Sequence, residues 1–169
     1  MNLQPTLENE LITLRPLREN DFKGLYEVAK DPLIWEQHPN ADRYKKGKFK
    51  KLFDEFIESR GTLITIDVKT GQVIGASRYH NYNKTKSEVE IGWTFLARAY
   101  WGGAYNKAMK HLMLKHAFKF VNNVVFLVGP ENIRSQKAME KIGGKFVGKR
   151  LDGSGRESIF YQITADKFI

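Results

Sequence analysis

The chain has 169 residues, 41% hydrophobic and 12% aromatic, which is enough to pack a core in a domain of ordinary size. Lys and Arg number 28 against 19 Asp and Glu, a net charge of +9 that suits an anionic ligand, nucleic acid or an acidic protein. No cysteine is present, which excludes disulfides, thiolate metal sites and a cysteine nucleophile. The opening MNLQPTLENE has neither a basic start nor an apolar core. No apolar run approaches the ~20 residues of a membrane span. The expectation is a cytoplasmic protein.

In chain order, ELITLRPL alternates and reads as a first strand. ENDFKGLYEVAK follows as a helix, with Phe22, Leu25, Tyr26 and Ala29 at helical spacing, Asn20 or Asp21 as cap, and Pro32 as stop. FKKLFDEFIES repeats that pattern through Phe49, Leu52, Phe53, Phe56 and Ile57, and Gly61 ends it. The period then changes to two: TLITIDV, QVIGASRYH and SEVEIGWTFL read as strands, the first two joined by the turn KTGQ. YNKAMKHLMLKHAFKF is a helix with Tyr105, Ala108, Met109, Leu112, His116 and Phe120 on one face. Lys107, Lys110, Lys115 and Lys119 are expected on its solvent face. VVFLV is a buried strand, NIRSQKAMEKIGG a helix ended by glycine, and KFVGKRL, DGSG and ESIFYQIT a closing hairpin. The class is α/β, built on one mixed sheet.

Between the fourth and fifth of these strands stands YWGGAYNKAMK, where two aromatics run into paired glycines at the start of a helix. No Asp or Glu occurs from Ile91 to Gly129, although acids favour the first turn of a helix. A strand that turns through glycine into a helix leaves backbone N–H groups free, and glycine lets a ligand reach them. Gly102 and Gly103 with small Ala104 therefore form either a phosphate-holding turn or simply a tight turn needing positive φ. Glu88 and Glu90 lie two apart on one strand face. Gly92 is compatible with a bulge or with close packing.

Four pieces, LRPLRENDF, VEIGWTFL, YWGGAY and NIRSQKAMEKIGG, occur in this order over nearly the full length. In them the chain resembles the GNAT superfamily of acyl-CoA-dependent N-acetyltransferases, most closely the RimJ/RimL-type branch. The resemblance implies one domain over residues 1–169. It also implies a mostly antiparallel mixed sheet of about six or seven strands flanked by about four helices. Of the family's turn motif, Gly102, Gly103 and Ala104 match, Trp101 precedes them as the branch often has it, and Tyr105 follows. The leading Arg or Gln is replaced by Ala99, beside Arg98. The resemblance implies that these turn amides bind the diphosphate of acetyl-CoA, while its pantetheine arm lies between EIGWTFL and VVFLV against the backbone of Thr94, Phe95 and Leu96.

By the same resemblance Glu90 is the base, directly or through water. Its alternative is an ion-paired or surface carboxylate. The family's usual acid, a tyrosine in the last helix, is replaced by Met139. Ser135, three residues after Asn132, is the branch's substitute, and both are expected to contact coenzyme or, for Asn132, to cap the helix. Trp35 and Glu36 fall where the family forms part of its acceptor site. His80 and Tyr82 follow a strand and could line that site. The four histidines show no metal-ligand spacing.

The reading is an N-acetyltransferase that moves acetyl from acetyl-CoA to a protein N-terminus or small amine by direct attack, as monomer or homodimer, without metal, membrane or nucleic-acid partner. The alternative is an acyl-CoA-binding sensor without turnover.

Overall fold

The computed structural model describes residues 1–168. Its elements run β1 (Leu7–Glu8), β2 (Ile12–Pro16), α1 (Phe22–Ala29), α2 (Lys46–Ser59), β3 (Thr62–Asp67), β4 (Val73–Asn83), β5 (Glu88–Leu96), α3 (Ala104–Ala117), β6 (Asn123–Val128), α4 (Ile133–Lys141), β7 (Lys145–Leu151) and β8 (Glu157–Thr164). The strands form one eight-stranded sheet in the order β1-β2-β3-β4-β5-β6-β8-β7. Neighbours are antiparallel except β5 and β6, which are parallel. A connection between parallel neighbours needs a crossover, and α3 supplies it.

The strand count exceeds the expected six or seven because of β1, a two-residue strand whose register is Leu7↔Leu14 and Glu8↔Thr13. Two residues carry no periodicity to read. What makes them a strand is a local turn in which the Asn9 side-chain oxygen accepts from the N–H groups of Leu11 and Ile12. The α2 helix stops at Ser59, two residues before the glycine expected to end it, with Arg60 between them in the left-handed region at φ 48. Gly61 is needed for close approach instead: a Cβ there would lie 2.2 Å from the Tyr79 carbonyl oxygen.

Two cores cover the two faces of the sheet. On one face α3 packs Met109, Met113 and Ala117 against Leu14, Ile91 and Phe126. On the other, α1 and α2 pack Leu25, Phe49, Phe53 and Phe56 against Ile64, Ala76 and Phe95. The helical and alternating patterns of the sequence account for both, since each element buries one face only. Two expectations for α3 fail. The helix ends at Ala117, leaving Phe120 beyond it and 46% exposed. Lys110 is not on the solvent face; it is 1% exposed. Residues 109, 113 and 117 centre the core stripe, and Lys110 with buried Leu114 borders it four residues apart.

Candidate active site

The parallel strands β5 and β6 pair only from Glu88↔Asn123 to Glu90↔Val125. Beyond that register β5 continues through Leu96 and β6 through Val128 with no ladder between them. The two strands part as a wedge with its apex at Glu90 and Val125. Main-chain groups along such edges need another partner, and an extended ligand can provide it. The cause of the divergence is a bulge on β5, where Trp93 and Thr94 together oppose the single residue Ser77 of β4. A bulge bends its strand and sharpens the twist. Trp93 carries φ +51, a region that bulky residues rarely occupy. It is held there by the Arg78 guanidinium 4.3 Å from its ring centroid and the His80 ring at 5.0 Å. Gly92 stands next to the bulge without carrying it.

A cleft of about 1310 Å³ passes through this wedge, lined by Trp35 and Leu52 from one face of the sheet and by Lys110 and Met139 from the other. At its open end β5 leads through a short turn to Trp101, Gly102 and Gly103, and then into α3. Gly102 has φ +70, which favours glycine. Gly103 is extended, caps α3 without any side chain, and would place a Cβ in open space. The first turn of α3 carries no acid. Its N–H groups lack helical partners, so the mouth of the cleft is a cradle for an anion. Lys107, Arg134, Lys137 and Lys141 also line the cleft.

Electrostatics single out two groups. Glu90 lies at the apex, 6% exposed, with its Oε2 accepting from Asn81 Nδ2 at 3.4 Å. Burial pushes its carboxyl up to about 7, against the lowering influence of Asn81 and Arg78. A carboxyl raised in this way is suited to accept a proton. Lys110 reaches up from α3 beneath the wedge. Its Nζ donates to Thr94 Oγ1 and, at 3.3 Å, to Ser77 Oγ, and it lies 5.7 Å from the Phe126 ring centroid. Burial brings its ammonium down to about 7.

The α1–α2 side of the cleft is walled by aromatic and cationic groups. Trp35 is buried, donates from Nε1 to the Ala29 carbonyl at 2.8 Å, and packs on Phe95 at 5.0 Å. Arg43 sits 5.7 Å from the Trp35 ring, and burial lowers its guanidinium to about 10. Burial beside Arg43 and Arg156 holds His38 neutral, with its imidazole brought down to about 3. His80 Nδ1 meets Arg78 at 3.0 Å.

The sequence profile of the Acetyltransferase (GNAT) domain matches residues 12–145, most of the chain. The chain belongs to the GNAT acetyltransferase family. No curated protein matches its sequence. Among solved structures, a GNAT-family acetyltransferase from Bacillus anthracis is 19% identical with a TM-score of 0.78, covering 96% of this chain and 99% of its own. A probable GNAT-family acetyltransferase from Chromobacterium violaceum is 18% identical with a TM-score of 0.81, covering 96% and 87%. The RimJ protein of Mycobacterium smegmatis, solved with CoA-disulfide, is 19% identical with a TM-score of 0.70, covering 96% and 87%. At these identities the shared property is the fold.

Within this GNAT fold Glu90, Thr94, Phe95, Leu96, Trp101, Gly102, Gly103, Asn132, Ser135, Trp35 and His80 all border the one cleft. Several carry structural duties as well. The Phe95 side chain belongs to the α1–α2 core, and the Leu96 carbonyl accepts from Trp101 Nε1 at 2.9 Å. Asn132 caps α4 by accepting from the Ser135 N–H at 3.2 Å. Ala104, Tyr105, Glu36 and Tyr82 do not line that cleft, although the first two begin α3 at its mouth. The Tyr105 hydroxyl points to Asp67, Glu36 is exposed on a separate smaller cavity, and Tyr82 packs against the α3-side core. Arg98, beside the missing motif arginine, is paired to Asp31 at 2.5 Å. Sequence reasoning missed Lys110, Arg43 and Asn81. For Lys110 the signal was its four-residue spacing to Leu114; Arg43 and Asn81 lie in a loop and at a strand irregularity, where no period exists to be read. Among the described residues no group of His, Asp or Glu could hold a metal ion, and no helix is long and apolar enough to cross a membrane.

Proposed function

We propose that this GNAT enzyme transfers the acetyl group of acetyl-CoA to a primary amine by direct attack within a ternary complex. The observation that carries the reading is the wedge: unpaired strand edges lead from a bare, acid-free helix N-terminus to a buried carboxyl at the apex. The first α3 amides and the basic groups at the mouth hold the diphosphate. Backbone of Thr94–Leu96 offers hydrogen bonds to the pantetheine amides, and Ser135 stands alongside. Glu90 takes the proton from the acceptor ammonium, and a main-chain N–H in the wedge stabilises the developing oxyanion. With no cysteine in the chain, a cysteine acyl-enzyme is not available.

The acceptor enters from the α1–α2 side, between Trp35, His80 and Trp93. Arg43 and Arg156 on that wall disfavour a polycation, so a peptide N-terminus or a small amine of low positive charge is the better fit. Calorimetry with CoA and acetyl-CoA tests the first half of the reading, and thiol release over a panel of peptides and small amines tests the second. Absence of heat with either coenzyme would sink the enzyme mechanism; heat without turnover on any acceptor would favour the sensor.

A further inference from the structure

Lys110 is an anomaly for any soluble fold. It is fully buried, yet its Nζ meets only two neutral hydroxyls and the face of Phe126. Among the described residues no carboxylate lies within ion-pair distance of it. A lone buried cation is costly, and packing requires no nitrogen there, since a methionine or leucine would fill the same space. The hydroxyls are arranged to receive it: Ser77 and Thr94 also hydrogen-bond each other at 2.7 Å. Those two residues belong to the bulge that opens the wedge, Thr94 on its bulged strand and Ser77 opposite, and Phe126 is the first β6 residue beyond the last β5–β6 pair. The ammonium is thus fixed beneath the apex, facing the cleft. Met139, where the family resemblance expects a proton-donating tyrosine, borders the same cleft and has no proton to give.

We propose that Lys110 is the catalytic acid of this enzyme, donating the proton that the departing coenzyme sulfur requires. The assignment rests on the acetyl-CoA reading above. A coenzyme anchored by its diphosphate at the α3 N-terminus and extended along the wedge brings its thioester to the apex, over Lys110. The acceptor nitrogen attacks the carbonyl carbon, forming the C–N bond while the C–S bond breaks and its electron pair passes to sulfur. The acceptor attacks as the neutral amine, its ammonium proton already passed by Glu90 to water; the second proton, shed as the C–N bond forms, goes to Glu90, and sulfur takes a proton from the Lys110 ammonium. Water then removes the proton from Glu90 and restores the one on Lys110, so no other reactant is needed.

The surroundings agree with a readily lost proton. Burial alone lowers this ammonium, to about 7. The charged and titratable groups of the packed elements are otherwise engaged. Asp67 on β3 is held by Thr70, Tyr100 and Tyr105, and the Tyr79 hydroxyl on β4 donates to the Met113 carbonyl at 2.7 Å. Glu90 on β5 projects from the opposite face, since its neighbours Val89 and Ile91 lie in the α3-side core.

The test compares wild type with Lys110→Met, binding free CoA to each and following thiolate absorbance against pH. A cation at hydrogen-bonding distance lowers a thiol by about one to three units. The expected result is a bound thiol that titrates at least about one unit below free CoA in wild type, with that shift lost in the variant. In the acceptor assay Lys110→Met should slow transfer by roughly 10²–10⁴-fold and lose the fall in rate on the alkaline side. If the variant does not fold, the wild-type titration alone decides: a bound thiol at or above the free value overturns the proposal. CoA bound equally by both proteins with superimposable thiol titrations, or an unchanged transfer rate, overturns the Lys110 assignment and leaves the coenzyme reading standing. No CoA binding by wild type overturns both.

Discussion

Replacing Glu90 by glutamine should slow the enzyme and strengthen the fold, and the second effect has a defined pH window. The Glu90 carboxyl has an ordinary value of 4.5 and is raised by burial to about 7. Below 4.5 both folded and unfolded chains hold the proton, and there is no penalty. Between 4.5 and 7 the folded chain keeps a proton that the unfolded chain has released, so stability falls as pH rises. Above 7 the folded protein carries a desolvated carboxylate at a cost of about 3 kcal/mol, the free-energy equivalent of raising the carboxyl from 4.5 to about 7. Glutamine has no charge to desolvate and keeps the amide-sized group facing Asn81. Urea unfolding followed by tryptophan fluorescence should therefore show Glu90→Gln more stable than wild type by about 3 kcal/mol at pH 8 and equal to it at pH 4.5. For a chain of this size the melting point at pH 8 should rise by roughly 6–12 °C. Transfer should slow by roughly 10²–10⁴-fold with CoA affinity unchanged. Equal stabilities at pH 8, or a gain of the same size at both pH values, would show that the carboxylate is not desolvated, and the argument for a tuned base would fail.

Gly103→Val should abolish coenzyme binding in calorimetry while leaving the circular dichroism and melting curve near wild type, because Gly103 has an ordinary φ of −105 and its Cβ meets only open space. This is a cleaner probe than a change at Gly102, where φ +70 would strain any side chain; normal CoA affinity would place the ligand elsewhere. Arg98→Ala should leave CoA affinity unchanged and cost less than ~1 kcal/mol in denaturant unfolding, since its partner is Asp31 and its side chain is 48% exposed. A large loss of CoA affinity would instead make Arg98 the substitute for the missing motif arginine. Lys110→Met should remove the rise in stability that wild type shows between pH 7 and the ordinary lysine value of 10.5, where the folded chain has lost a proton that the unfolded chain retains. A stability difference between the two proteins that does not change over that range would mean the lysine is not destabilised by burial.

Apart from the two-residue β1, the elements, their order and the glycine turn were legible in the residues, because helical and strand periods and turn chemistry are local properties. Of the α2 pattern through Phe49, Leu52, Phe53, Phe56 and Ile57, the structure buries the first four and half-buries Ile57. The candidate cofactor turn was legible for the same reason: an acid-free helix start with paired glycines can be seen within a few residues. The base was named from its place in a familiar strand, but nothing local could say whether Glu90 is solvated. Its hydrogen-bond partner Asn81 is nine residues away across the β4–β5 turn, and the β6 strand it pairs with at Val125 comes from much later in the chain.

Lys110 shows the limit most plainly. Lys107 and Lys115 on the same helix, with Lys119 just beyond its end, read as a solvated face, and a period cannot distinguish the border of a core stripe from its outside. Only the wedge between β5 and β6, opened by a bulge opposite Ser77, creates the place beneath which that side chain lies buried. Local preference thus determined what each segment becomes. Which charges lose their water was decided by the way distant strands part and helices close over the gap, since desolvation depends on every atom around a group and not on its neighbours along the chain.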